Sequence, residues 1–296
     1  MSRPLLGALM SVMLVAGCGV VGDTAMPVTP PPSVPGTPDV TTARTPASTV
    51  ATTAHPSATP SPTPTPSRTP APSLSGDTKN AWAFAPLDDP DRLVVEGEVP
   101  SQRAWSTSKL LVVAAFLAEA CDGDPQNASA AQQQQMTRSL SESDMDSIVA
   151  LANAIPSGKQ AGMTQVLRSI GDNETTVPSR LEGTMIWTVE RQVEFLVALH
   201  EGRVVSPESS AYMLEHMQPI ESQSWGLGTV GSSGFKGGWL RQNTETRQMG
   251  YVDGYAVAII TSGVGPAELQ SDGDSAHVDQ MNTLAAQLRA RLSGDG

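Results

Sequence analysis

The chain of 296 residues carries 18 Lys+Arg against 30 Asp+Glu, a formal net charge of −12, and is 39% hydrophobic with 16% charged residues. That acidity repels a phosphate backbone and argues against a nucleic-acid partner. Two distant cysteines, Cys18 and Cys121, give no disulfide framework or thiolate cluster, and the four histidines show no paired ligand spacing, so no metal or other cofactor is expected. The length allows one or two domains with a core of useful size.

Met1-Ser2-Arg3 supplies a short positive segment, and Leu5 to Ala16 is nearly all apolar or small. Such a stretch is too short to span a bilayer comfortably and has the outline of a signal peptide. It ends in Val15-Ala16-Gly17-Cys18, which resembles the lipobox of bacterial lipoproteins. The resemblance implies that residues 1–18 are the signal segment and that Cys18 is lipidated as the first mature residue. The protein would then be extracytoplasmic and tied to the cell membrane through its lipid.

Residues 24–76 contain no aromatic residue and 14 of the 24 prolines, set among Thr, Ser and Ala. A segment of this composition cannot bury enough apolar surface to offset its ordering entropy. Runs such as Thr59-Pro60-Ser61-Pro62-Thr63-Pro64 favour extended polyproline conformation. Residues 19–76 therefore read as a disordered, semi-rigid linker, and residues 77–296 as the folded domain.

Within that domain, Trp82 to Leu87 and Arg92 to Glu96 are short strand candidates, joined through the turn formers Asp88-Asp89-Pro90-Asp91. Leu110 to Ala118 is apolar without a break, which predicts a helix buried on all sides. Segments 143–155, 188–201, 207–218 and 276–292 read as amphipathic helices, with Glu190 and Glu208 in first turns. The run Gln132 to Gln135 reads as a solvated helix face. Tyr255 to Thr261 is the clearest strand, and Arg247 to Val252 can pair with it through Asp253-Gly254. Strands, then helices, then strands and a final helix give an α+β order.

Ser106-Thr107-Ser108-Lys109 opens the apolar helix. A serine and a lysine three apart share one helical face. The positive end of the helix dipole favours a developing alkoxide, and burial lets a lysine shed its proton and serve as base. Ser233-Gly234-Phe235-Lys236 has the same spacing but opens no apolar helix. The chain has only four lysines, Lys79, Lys109, Lys159 and Lys236, so Lys109 and Lys236 are not drawn from a lysine-rich surface. Cys121 reads as an unpaired, partly buried thiol.

Three segments occur in the order found in penicillin-recognising serine enzymes: Ala104-Trp105-Ser106-Thr107-Ser108-Lys109, Glu142-Ser143-Asp144 and Phe235-Lys236-Gly237-Gly238-Trp239. Over most of residues 80–292 the chain resembles class A β-lactamases and β-lactamase-like lipoproteins, whose motifs are S-x-x-K, S-D-N and K-T-G. The resemblance implies a β-lactamase-like α+β fold, an antiparallel sheet flanked by helices with a reduced all-α part. It makes Ser106 the acylated nucleophile and Lys109 its base. Ser143 would relay a proton to the leaving group, held by Lys236, which would also attract a substrate carboxylate. Gly237, Gly238, Trp239 and Met145 would line the substrate site, with the Ser106 and Trp239 N–H groups as oxyanion donors. The implied partner is a small molecule, a β-lactam or a D-alanyl cell-wall peptide, and a monomer suffices.

The chain departs from that pattern at three places. Met145 stands where the family has asparagine, and a thioether is only a weak acceptor. Gly237 replaces a hydroxyl residue, with Ser232, Ser233 or Thr261 as conceivable substitutes. Counting from Ile170-Gly171-Asp172 without a gap puts Leu181, one short of Glu182, where the family has its deacylating glutamate, leaving Glu182 as either that base or a solvated loop carboxylate. Two functions stay open: an acyl-enzyme-forming serine hydrolase or transferase, and a catalytically inactive domain that binds cell-wall material or protein partners.

Overall fold

The computed structural model describes residues 79–240, 245–263 and 276–294. Cys18 and the stretches read from the sequence as a signal segment (1–18) and a linker (19–76) lie outside the described residues.

Among the described residues, five strands form one antiparallel sheet: β1 (Lys79–Pro86), β2 (Val94–Gly97), β3 (Gly234–Trp239), β4 (Glu245–Val252) and β5 (Tyr255–Ser262), in the order β2-β1-β5-β4-β3. The strands at the two ends of the domain thus meet in the middle of the sheet, β1 pairing β5 from Lys79↔Ser262 to Pro86↔Tyr255. The turn from β4 to β5 is made by Asp253 and Gly254, at φ 49° and 83°. Two successive left-handed residues give the hairpin turn whose twist matches the strands.

Among the described residues, seven helices flank the sheet: α1 (Lys109–Ala120), α2 (Ala130–Ser141), α3 (Met145–Asn153), α4 (Lys159–Ser169), α5 (Val189–His200), α6 (Pro207–His216) and α7 (Ala276–Ser293). Alternation along the strands sends side chains into two cores. Ala81, Ala83, Ala85, Ala256, Ala258 and Ile260 face the larger core around α1 and α5. Trp82, Phe84, Val257 and Ile259 face the smaller one, closed by Met281, Leu284 and Leu288 of α7. Every residue from Leu110 to Phe116 is fully enclosed, so α1 is the buried axis that its sequence requires. Cys121 at its end is free and fully buried, more so than the sequence suggests.

The sequence showed α2 only as a solvated helix face and did not show α4 as a helix. In α2 the polar run is more than a wetted face: Gln132 accepts from the Ser129 backbone N–H at 2.9 Å, closing a capping box that starts the helix. In α4, Gly162 interrupts the apolar pattern because a Cβ there would stand 2.9 Å from Ile155 and 3.1 Å from Ala115, so the glycine is what lets α4 close on α1.

Candidate active site

Ser106 lies in a 3-10 turn, Trp105–Ser108, that runs straight into α1. Trp105 enters it at φ 45°, a left-handed conformation that costs a bulky residue of order 1–3 kcal/mol. The surroundings over-determine that turn. Ser108 Oγ donates to the Trp105 carbonyl at 2.7 Å and Thr107 Oγ1 to the Ala104 carbonyl at 2.5 Å. From β4 the buried Arg247 donates to the carbonyls of Gln102 and Arg103 at 2.9 and 2.8 Å and to Gln192 Oε1 at 2.5 Å; Gln192 in turn donates to Thr107 Oγ1 at 2.8 Å. Burial pulls the Arg247 guanidinium down to about 9, against the pull of Glu245. Neither Arg247 nor Gln192 carries a motif that would single it out in the sequence.

Lys109 Nζ stands 3.0 Å from Ser106 Oγ and donates to it. Burial lowers the Lys109 ammonium to about 8, although the charges of Glu182 and Asp144 oppose the shift. The amine is therefore about half neutral at pH 8, where an ordinary lysine is almost wholly charged. Lys236 on β3 is fully buried and donates to Ser143 Oγ and, at 3.1 Å, to the Gly237 carbonyl. Burial, reinforced by the charge on Lys109, pushes its ammonium well below the ordinary lysine range. The two hydroxyl–amine couples thus lie close enough to influence each other. Ser233 precedes β3 and Lys236 lies within it, so the second S-x-x-K spacing falls on extended chain rather than on a helix face.

Ser143 sits between α2 and α3 at φ 60°. Asp144 fixes this turn by capping α3, accepting from the Ser147 N–H at 2.8 Å, and by pairing with Arg138 at 2.9 Å. Hydrogen bonds from Ser147 lead the causes that hold the Asp144 carboxyl below its usual range. Met145 is the first residue of α3, and its thioether points into the open cleft, 59% exposed.

The two glycines of β3 have different reasons. A Cβ on Gly238 would lie 2.9 Å from the Ala104 carbonyl oxygen and 3.0 Å from the Ser106 nitrogen, so only glycine lets β3 press against the Ser106 turn. A Cβ on Gly237 would lie 3.0 Å from Cζ3 of Trp239, whose ring occupies the space that a hydroxyl side chain needs. None of the conceivable substitutes for that hydroxyl reaches it. Ser232 donates to the Gly234 carbonyl, and Thr261 lies on β5, beyond β4. Ser233 is four residues away along extended chain, roughly 13 Å.

Glu182 is brought into the site, and the solvated-loop reading is corrected. Leu181 is left-handed at φ 53° and 74% exposed at the cleft's rim; the chain reverses there and brings Glu182 into the same cleft. Glu182 Oε2 pairs with Lys159 Nζ at 2.5 Å. Burial raises the Glu182 carboxyl, but the Lys159 hydrogen bond and the charges of Lys159 and Lys109 outweigh it and hold the group below the usual range. Lys159 was missed as a site residue, although its rarity marked it: three of the four lysines belong to this site. Ser106, Lys109, Lys159 and Glu182 line one open cleft of about 430 Å³.

No family model matches the chain, and no curated protein matches it. Solved structures do. The TLA-3 extended-spectrum beta-lactamase is 14% identical, with 71% of this chain and 93% of that one covered at a TM-score of 0.54. PBP-A is 14% identical over 74% and 92%, also at 0.54. The beta-lactamase from Sphaerobacter thermophilus is 17% identical over 73% and 93%, at 0.52. The chain has the β-lactamase-like fold.

Proposed function

We propose that this chain is an acyl-enzyme-forming serine hydrolase or transferase acting on a small molecule. The observation that carries the reading is the 3.0 Å contact between Lys109 Nζ and Ser106 Oγ, made by an amine lowered to about 8. Neutral Lys109 takes the hydroxyl proton as Ser106 Oγ attacks an acyl carbon. The N–H groups of Ser106 and Trp239 receive the developing oxyanion. Ser143, held by Lys236, passes a proton to the leaving group. Because Lys236 is enclosed and spent on Ser143 and Gly237, it steadies the relay rather than touching a substrate carboxylate.

The substrate classes suggested by the fold's relatives are β-lactams and D-alanyl cell-wall peptides. In this reading Cys18 carries the lipid, the 19–76 linker is the stalk, and the domain works at the outer face of the membrane. The test is intact-mass analysis of the protein with a fluorescent penicillin. A slowly formed, persistent adduct on Ser106, absent in Ser106→Ala, is expected; no adduct after prolonged exposure would count against the reading. Met145 and the ring over Gly237 favour the second reading, a non-catalytic binding domain. There, Ser106→Ala would leave ligand affinity unchanged and no adduct would form with either protein.

A further inference from the structure

Among the described residues, six large apolar side chains stand conspicuously exposed: Met145, Val149, Leu181, Ile186, Ile220 and Leu240. Four of them, Met145, Val149, Leu181 and Leu240, line the cleft that opens over Ser106. Scattered exposed apolar residues need no explanation, but a concentration of them in a concave site marks a surface that binds apolar matter. The polar complement points the same way. The two lysines lining the cleft are engaged, Lys109 with Ser106 and Lys159 with Glu182. The Trp239 ring lies where a side chain at Gly237 would offer a hydroxyl. A substrate carboxylate entering this cleft would meet these apolar side chains, the neutral Asn153 and Thr184, two lysines already engaged, and the Glu182 carboxylate.

We propose that the site takes neutral carboxylic esters with an apolar acyl chain of medium length, in preference to acyl donors that carry a carboxylate. This deepens the Ser106 reading and rests on it. Ser106 Oγ attacks the ester carbonyl while Lys109 Nζ accepts its proton. Collapse of the tetrahedral species breaks the bond to the alkoxy oxygen, which takes a proton from Ser143, itself reprotonated through the lysines. Water then adds to the acyl carbon and the Ser106 ester bond breaks. The net products are the acid and the alcohol, with the serine restored.

The experiment is a series of p-nitrophenyl esters from acetate to decanoate, read as nitrophenolate release by the full chain, with Ser106→Ala as the blank. The expected kcat/KM rises about two- to fourfold per added methylene until the cleft is filled. In Leu181→Ser and Leu240→Ser the rise per methylene should flatten. An ester with a terminal carboxylate on the acyl chain should react at least about tenfold more slowly than its neutral isostere. A flat or falling series, or equal rates for the charged and neutral pair, with Ser106 still acylated, would overturn the apolar-ester proposal alone. Failure of every ester and of the penicillin to acylate Ser106 would overturn the serine reading beneath it.

Discussion

The closest backbone approach in the site gives its sharpest test. A Cβ at Gly238 would sit 2.9 Å from the Ala104 oxygen, 3.0 Å from the Ser106 nitrogen and 3.1 Å from the Thr107 nitrogen, all backbone atoms of one turn. Ordinary contact is about 3.5–4.0 Å, so in Gly238→Ala β3 must retreat by roughly 0.5–1 Å. Forcing a methyl into so tight a place costs about 1–3 kcal/mol. For a folded region of this size that lowers Tm by about 2–12 °C. The same retreat pulls the Trp239 N–H away from Ser106, and a displacement approaching 1 Å can cost about 10² in rate. Gly237→Ala is the control, since its Cβ meets the edge of the Trp239 ring rather than a backbone atom. The measurements are a thermal melt and the rate of acyl-adduct formation by intact mass. A Gly238→Ala protein with unchanged Tm and an acylation rate within twofold of the parent would refute the claimed contact between β3 and the Ser106 turn.

Two further outcomes are expected. Lys109 is protonated and inert as a base below about 8 and neutral above it, so acylation should rise with pH through about 8 and then level off. Glu182 raises the Lys109 ammonium, so Glu182→Gln should move that midpoint down; a rate independent of pH in this range would rule Lys109 out as the base. Lys159 occupies the Glu182 carboxylate, so Lys159→Met should free it to activate water and shorten the acyl-adduct lifetime about tenfold, or ~1.4 kcal/mol. The double variant with Glu182→Gln should restore the long lifetime; equal lifetimes in all three proteins would show that Glu182 takes no part.

The strand pairs and the buried α1 were legible because alternation and an unbroken apolar run are local signals. So was the pairing of Ser106 with Lys109, one helical turn apart. What carries Lys236 to Ser143 is different: it depends on β3 lying beside the Ser106 turn, a long-range contact that no local pattern encodes and only the family motifs suggested. The ungapped count fell on Leu181, one residue short of Glu182, because counting along the chain assumes a uniform backbone, whereas the chain turns left-handed at Leu181; the choice between a site carboxylate and a solvated one for Glu182 stayed open in the sequence. Arg247 read as part of a strand, and nothing in its neighbourhood told that its side chain would bridge Gln192 and the segment before Ser106.

The charges of the site explain why these residues depend on one another. Lys109 and Lys236 are both buried, and the charge of Lys109 is one of the causes that lowers Lys236. Two ammonium groups in one low-dielectric region repel each other, so protonating one favours the neutral form of the other. The anions are placed unevenly: Glu182 and Asp144 both act on Lys109, whereas burial and Lys109 are the causes acting on Lys236. That asymmetry favours Lys109 over Lys236 as the proton acceptor in the proposed acylation of Ser106. The proton it gains then disfavours a proton on Lys236, whose hydrogen bond runs to Ser143. In the proposed acyl transfer, a proton gained by Lys109 would therefore favour passage of any proton held on Lys236 toward Ser143.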